Sequence, residues 1–226
     1  MRRCVLTYLV GECKDELRTP AILDDDCDYI CVTDNETLTS NVWTIKYDKF
    51  DNCITNRDKL GFVKLHPTKW TDASEICIID ATHKIDASLY PLFATLDEAD
   101  IVLKKHTIRN NVFDELMAWR MGRGMSDYAV KTMLKFAIRL QVNPHVCPLY
   151  ESCVMFIHNN KSTIKLFTDT YEFMNRCGEN GSLFISNQIP LSILLGTNNY
   201  ISNVSQLNTE PYFTRYYHNS NRINKT

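Results

Sequence analysis

Two stretches of this chain place ionisable side chains where an apolar segment stops. In the first, Glu75-Ile76-Cys77-Ile78-Ile79-Asp80-Ala81-Thr82, a β-branched apolar run ends in a carboxylate. Such a run reads as a buried strand that delivers Asp80 to the carboxyl edge of a sheet. Open α/β sheets bind their ligands at that edge. An Asp that merely caps the following turn is the plainer alternative. In the second stretch, His106-Thr107-Ile108-Arg109-Asn110-Asn111-Val112-Phe113-Asp114-Glu115, a His and an Arg follow a strand and two acids open a helix. Arg109 can grip a diphosphate while the acids hold sugar hydroxyls. Equally, acids in a first turn can simply complement the helix dipole.

Lys131, Lys135 and Arg139 fall at i, i+4 and i+8, one face of a helix. Tyr128, Leu134 and Ile138 lie elsewhere on it and are expected to face the core. A basic stripe of this kind binds the phosphates of nucleic acid or another anionic polymer, or is a solvated face. Residues 101–140 carry eight basic side chains against three acidic, although the whole chain has a net charge of −2. An anionic ligand is favoured near that segment.

Several phosphate-binding and hydrolytic motifs are absent: there is no P-loop, GxGxxG, HExxH or GxSxG. Phosphate binding therefore falls to side chains or to a metal. Asp80-Ala81-Thr82 supplies only half of a DxD pair, one carboxylate and one hydroxyl. A Mg²⁺ or Mn²⁺ held mainly by substrate phosphates can still use Asp80. His83 reads as structural or solvent-facing. The carboxylates are too sparse for a two-metal nuclease.

The elements that must position these groups follow from periodicity. The composition, 44% hydrophobic and 23% charged, is that of a globular rather than a disordered chain. Its 226 residues suffice for one α/β domain spanning 1–226, with a core at about 3–195. Strands are expected at 3–10, 28–33, 42–47, 75–80, 101–103 and 152–157. Helices are expected at 56–65, 111–121, 126–141, 162–176 and 185–195, with a turn at 178–181 and Pro190 as a break in the last helix. The Asn- and Ser-rich tail from Thr197 is expected to be irregular and to fold over the site. No apolar run approaches the roughly 20 residues that span a bilayer. The first ten residues lack a small-residue cleavage pattern and read as a strand, so a cytoplasmic protein is expected. The nine cysteines, scattered and without CxxC, read as core thiols, with Cys27 and Cys31 on one strand face.

Taken in order, these pieces resemble a glycosyltransferase-like family of plant mucilage and cell-wall proteins and bacterial surface-polysaccharide enzymes. The similarity spans about residues 5–195. It comprises Thr7-Tyr8, Asp15-x-Leu17-x-x-Pro20, Asp28-Tyr29-Ile30-Cys31-Val32-Thr33-Asp34, Trp43, and Arg57 with Lys64-x-His66-Pro67. Ile79-Asp80-Ala81, His106-x-x-Arg109-x-x-x-Phe113-Asp114-Glu115 and Leu149-Tyr150-Glu151-Ser152 complete it. Where the family reads R-D-Q, this chain has Ser186-Asn187-Gln188, and Phe156-Ile157-His158 ends where a basic residue is usual.

The resemblance implies a GT-A-like, Rossmann-related α/β fold that moves a sugar from a nucleotide-sugar donor to a hydroxyl. It implies catalytic roles at Asp80, Arg109, Glu115 and Asn187, although Asn187 cannot act as a base. Thr7, Tyr8, Asp34, Arg57, Lys64, His106 and Asp114 fall to the donor: Asp34 to its nucleoside, Arg57, Lys64 and Arg109 to its diphosphate. Mn²⁺ or Mg²⁺ at Asp80 belongs to the same implication. Glu151 and Gln188 fall to the acceptor. That acceptor is a saccharide, or a hydroxymethylated base in phage or viral DNA contacted by Lys131, Lys135 and Arg139. The competing expectation, motivated by Asn187 and the incomplete DxD, is a non-catalytic nucleic-acid-binding or interaction protein on a degenerate transferase fold.

Overall fold

The computed structural model describes residues 2–11, 16–122, 124–178, 187–197, 199–201 and 203–216, with backbone alone at 176–178. Its strands are β1 (Arg3–Leu9), β2 (Cys27–Thr33), β3 (Thr44–Tyr47), β4 (Glu75–Ile79), β5 (His83–Ile85), β6 (Ile101–Lys105), β7 (Tyr150–His158), β8 (Val204–Gln206) and β9 (Phe213–Arg215). Its helices are α1 (Asn56–Leu65), α2 (Tyr90–Phe93), α3 (Val112–Gly122), α4 (Asp127–Arg139), α5 (Lys161–Gly178) and α6 (Gln188–Leu195). The expected turn at 179–181, the helix start at 185–186 and Asp15 lie outside the described residues.

Seven strands form one mixed sheet in the order β3-β2-β1-β4-β7-β6-β8. All neighbours pair in parallel except β7, which is antiparallel to both β4 and β6. The central strands read as near-continuous apolar runs because both faces of the sheet are covered. On one face Leu6, Tyr8, Ile30, Ile76, Ile78, Met155 and Ile157 pack with Val63, Leu166 and Leu191 from α1, α5 and α6. On the other, Val5, Leu9, Cys31, Cys77, Ile79, Val154 and Phe156 pack with Leu92, Phe93 and Leu96. Cys27 and Cys31 do share this second face. Burial pushes the Cys4, Cys31 and Cys153 thiols up to about 12, so they are neutral core groups. This is the mixed α/β architecture, one sheet flanked by helices, expected from the sequence.

The topology fixes where a ligand can sit. From β1 the chain moves outward to β2 and β3, then returns to β4 on the other side of β1. The switch point thus lies between the carboxyl ends of β1 and β4, the crevice that binds ligands in open α/β sheets. Because β7 runs the other way, its beginning reaches this same edge, next to the end of β6. The pairing of β6 with β7 jumps from Leu103↔Met155 to Lys104↔Glu151, so residues 152–154 bulge out of that ladder. Bulges of this kind re-aim side chains and carbonyls at functional edges.

Two expectations are corrected. The tail is not irregular throughout: β8 extends the main sheet beside β6, and β9 pairs with β5 through His83↔Arg215. Three-residue strands with half-exposed polar residues carry no alternation of their own, so their partners define them. In α4 the buried stripe is Ala129, Val130, Met133 and Ala137. Tyr128 and Ile138 are 52% and 68% exposed. Small residues let this helix lie close to its neighbours, and the larger apolar ones are left outside.

His83 is structural, buried on β5, with its Nδ1 3.1 Å from Thr82 Oγ1. Burial lowers its pKa to about 4; Asp80 opposes that shift, and Arg215 and Lys64 reinforce it. Between its unfolded value near 6.5 and about 4, the unfolded chain binds a proton here that the folded chain does not. Stability therefore rises with pH across that window and is lost on acidification, by about 3 kcal/mol at most. Urea-unfolding midpoints followed from about pH 7 to 4.5 should fall more steeply for the wild type than for His83→Gln. Equal slopes would contradict a buried neutral ring.

Candidate functional site

One cavity of about 530 Å³ opens at the switch point. Tyr8, Arg57, Lys64, Asp80, His106, Arg109, Glu115, Glu151, Asn187 and Gln188 all line it, so ten of the residues expected from sequence meet in one place. They come from β1, α1, the exit of β4, the β6–α3 connection, α3, β7 and the start of α6.

Asp80 follows β4, and its backbone N–H donates to Cys153 O at 2.8 Å, which fixes the carboxylate at the strand's end. Asp80 Oδ1 accepts the Tyr8 hydroxyl and lies 2.7 Å from Lys64 Nζ. Lys64 is buried, and its ammonium also donates to Ser152 O at 2.9 Å, a carbonyl presented by the β7 bulge. The lysine reaches this spot because α1 starts at a capping box, Thr55 with Asp58, that sets the helix against the sheet edge. Asn56, Arg57, Leu60, Gly61 and Lys64 then form one wall.

A second cluster faces the cavity from α3. Glu115 and Trp119, one turn apart, are both buried, and the indole Nε1 donates to Glu115 Oε1 at 2.6 Å. Glu115 Oε2 lies 2.8 Å from Arg109 Nη1, in an ion pair whose geometry is not that of a hydrogen bond. A buried carboxylate oxygen in that state still has capacity to accept a hydroxyl. The Arg57 guanidinium lies 4.7 Å from the centre of the Trp119 ring, a cation–π contact that holds the arginine in place. His106 Nδ1 accepts the backbone N–H groups of Ile108 and Arg109, both at 3.1 Å. Burial depresses the His106 pKa, and its Nε2 lies 3.3 Å from Arg109 Nη1.

On β7, Cys153 Sγ donates to Glu151 Oε2 at 3.3 Å. Ser152 Oγ donates to Asn187 Oδ1 at 2.9 Å, so Asn187 is a held carboxamide and takes no proton.

The other expected residues lie elsewhere. Thr7 points to the opposite face from Tyr8, as strand alternation requires, and its hydroxyl donates to Ile79 O at 2.9 Å. Asp34 accepts the Gly11 N–H at 2.9 Å and pairs with Lys59 at 2.7 Å. Burial opposes its ionisation, but these partners hold its pKa below the usual carboxylate value. It stabilises the β1 exit, where Gly11 takes φ 71° and any Cβ would overlap the Asn56 side chain. Asp114 is exposed, and Lys131, Lys135 and Arg139 stand on the outer face of α4 rather than in the cavity.

The sequence reading missed Trp119 and Arg215, both of which line the cavity. Trp119 carried a signal, its i+4 spacing from Glu115. Arg215 carried none, because the β5–β9 register alone brings it there.

The residues fit a divalent ion poorly. Among the described residues no three His, Cys, Asp or Glu side chains gather around a common point. The near-DxD stretch is spent on structure: Asp80 Oδ1 on Lys64 and Tyr8, Thr82 O on the Tyr216 N–H at 2.7 Å, and Thr82 Oγ1 on His83.

No protein-family model and no curated protein matches the chain. Among solved structures, the chain is similar to mouse xyloside xylosyltransferase 1, with TM-score 0.52 at 10% identity over 92% of this chain and 86% of that one. It is also similar to the glycosyltransferase GlyE of Streptococcus pneumoniae TIGR4, with TM-score 0.51 at 12% identity over 92% of this chain. The chain spans 46% of GlyE's length. At these identities the likeness is one of fold. Among the described residues no helix is long and apolar enough to cross a membrane.

The α3 cluster makes a stability prediction. Glu115→Ala strands Arg109 and the Trp119 N–H and should cost about 2–3 kcal/mol in urea unfolding. Asp114→Ala, one residue away and exposed, should stay within about 0.5 kcal/mol of wild type.

Proposed function

We propose that this protein is a glycosyltransferase that moves a sugar from a nucleoside-diphosphate donor to a saccharide hydroxyl. One observation carries the reading: Arg57, Lys64, Arg109 and Arg215 line a single cavity at the sheet's switch point, together with the Glu115 carboxylate. A cavity of about 530 Å³ has the size of small-molecule sites. Fixed cations suit a diphosphate, and a buried carboxylate oxygen suits a sugar hydroxyl. The ordered similarity to the plant mucilage and bacterial surface-polysaccharide family supports the same activity.

In the transfer, the bond between the sugar's anomeric carbon and the phosphate oxygen breaks, and its electron pair leaves with the diphosphate. The acceptor oxygen bonds to that carbon, and its proton passes to a carboxylate. Glu151 is our assignment for that base, since Asn187 cannot serve. Gln188, which lines the same cavity, supplies an amide to the acceptor. Cys153 remains a neutral thiol that steadies Glu151. The α4 stripe lies outside the cavity and is given no part in the transfer.

A thermal-shift screen of nucleotide sugars tests the reading. One donor at about 100 times its Kd should add about 2.7 kcal/mol of stability. Glu151→Gln should retain that shift and lose transfer to a saccharide acceptor by about 100-fold or more. A chain that answers no nucleotide sugar and binds DNA across a salt series would instead be the non-catalytic nucleic-acid-binding protein.

A further inference from the structure

We propose that Lys64 takes the place of a divalent cation in this site, so that the protein binds and uses its nucleoside-diphosphate donor without a metal. The inference rests on the glycosyl-transfer reading above and concerns how the departing diphosphate is neutralised.

The β4 carboxylate is the group on which a metal would depend, and its charge is already matched. The Lys64 ammonium sits 2.7 Å from Asp80 Oδ1, and the Tyr8 hydroxyl donates to the same oxygen. With its side chain 8% exposed, Lys64 is locked in this position rather than swinging from solvent. A dication drawn to Asp80 would meet a buried positive charge already ion-paired with the same carboxylate. Thr82, the other half of the stretch, has its carbonyl and hydroxyl engaged by Tyr216 and His83.

The ammonium is also built to act on a ligand. It has three N–H donors. One donates to Ser152 O and the charge is ion-paired with Asp80, and no other acceptor among the described residues takes the remaining capacity, although Lys64 lines the cavity. A lysine is a compact point charge, the side chain closest in kind to a small metal ion. As the anomeric C–O bond breaks, the electron pair collects on the leaving phosphate oxygen. A free N–H of the ammonium donates to that oxygen, and Lys64 keeps its proton throughout. Asp80 and Tyr8 are positioning residues: they hold the ammonium in place and touch no substrate. Arg57, Arg109 and Arg215 share the remaining phosphate charge from the same walls.

The test is calorimetric titration of the full chain with UDP, GDP, CDP, ADP and dTDP, once in EDTA and once in excess Mn²⁺. At least one diphosphate should bind with a Kd that differs by less than about threefold between the two conditions. Lys64→Met should weaken that binding by about tenfold or more in both, as loss of a charged hydrogen bond predicts. Mn²⁺ should not restore it, whereas Lys64→Arg should recover part of it.

Binding that appears only with Mn²⁺, or that weakens about tenfold or more in EDTA, overturns the inference and leaves the transferase reading standing. Unchanged affinity in a folded Lys64→Met protein overturns it as well. If Lys64→Met does not fold, the wild-type comparison between EDTA and Mn²⁺ decides alone. Absence of binding by every diphosphate in both conditions overturns the glycosyl-transfer reading, and this inference with it.

Discussion

The candidate site depends on one ion pair. Lys64 and Asp80 meet 2.7 Å apart, where four pieces of chain converge on a sheet edge. An unpaired ammonium there would be costly, since burial penalises charge heavily unless it is paired and hydrogen-bonded. Asp80, the Tyr8 hydroxyl and the Ser152 carbonyl remove that cost together. In doing so they tie α1 to β1, β4 and the bulge of β7. Each partner serves the geometry of the others: without the bulge the carbonyl would stay in the ladder, and without the α1 cap the lysine would not arrive.

Around this centre the charges are opposed rather than merely accumulated. Arg109 faces Glu115, Arg57 lies on the Trp119 ring, and Lys64 faces Asp80. Each cation is thereby held before a ligand arrives. Such preorganisation is what electrostatic catalysis requires, because groups already aimed need not reorganise as charge develops. Burial disfavours the charged form of His106, so the ring adds no further positive charge to the site.

Much of this was legible in the residues, and the exceptions have physical reasons. The run before Asp80 announced a buried strand because parallel strands covered on both faces are apolar throughout. The His106–Glu115 stretch was legible because its groups are close in sequence and stay close in space. Asp34 is expected at the donor's nucleoside, but the sequence does not show that Gly11 and Lys59 consume its oxygens. Thr7 and Tyr8 are adjacent, and only the sheet's orientation decides which one faces the cavity. Tyr128 and Ile138 misled because hydrophobicity favours the larger side chain, whereas close helix packing favoured Ala129 and Ala137. Arg215 was invisible because its position depends on a register across more than a hundred residues of chain.

The antiparallel insertion of β7 also bears on how the protein folds. The central strand β4 has no hairpin partner: it pairs with β1 on one side and β7 on the other. The Thr7–Ile79 bond spans 72 residues and the Lys64–Ser152 bond 88. Closing such loops costs entropy before any contact repays it, which makes topologies of this kind slow to form. The cavity walls come from both ends of those loops, so the site is complete only once both have closed. The first half of the chain holds Arg57, Lys64 and Arg109, and the second holds Arg215, Glu115, Glu151 and Gln188, so neither half alone closes the cavity.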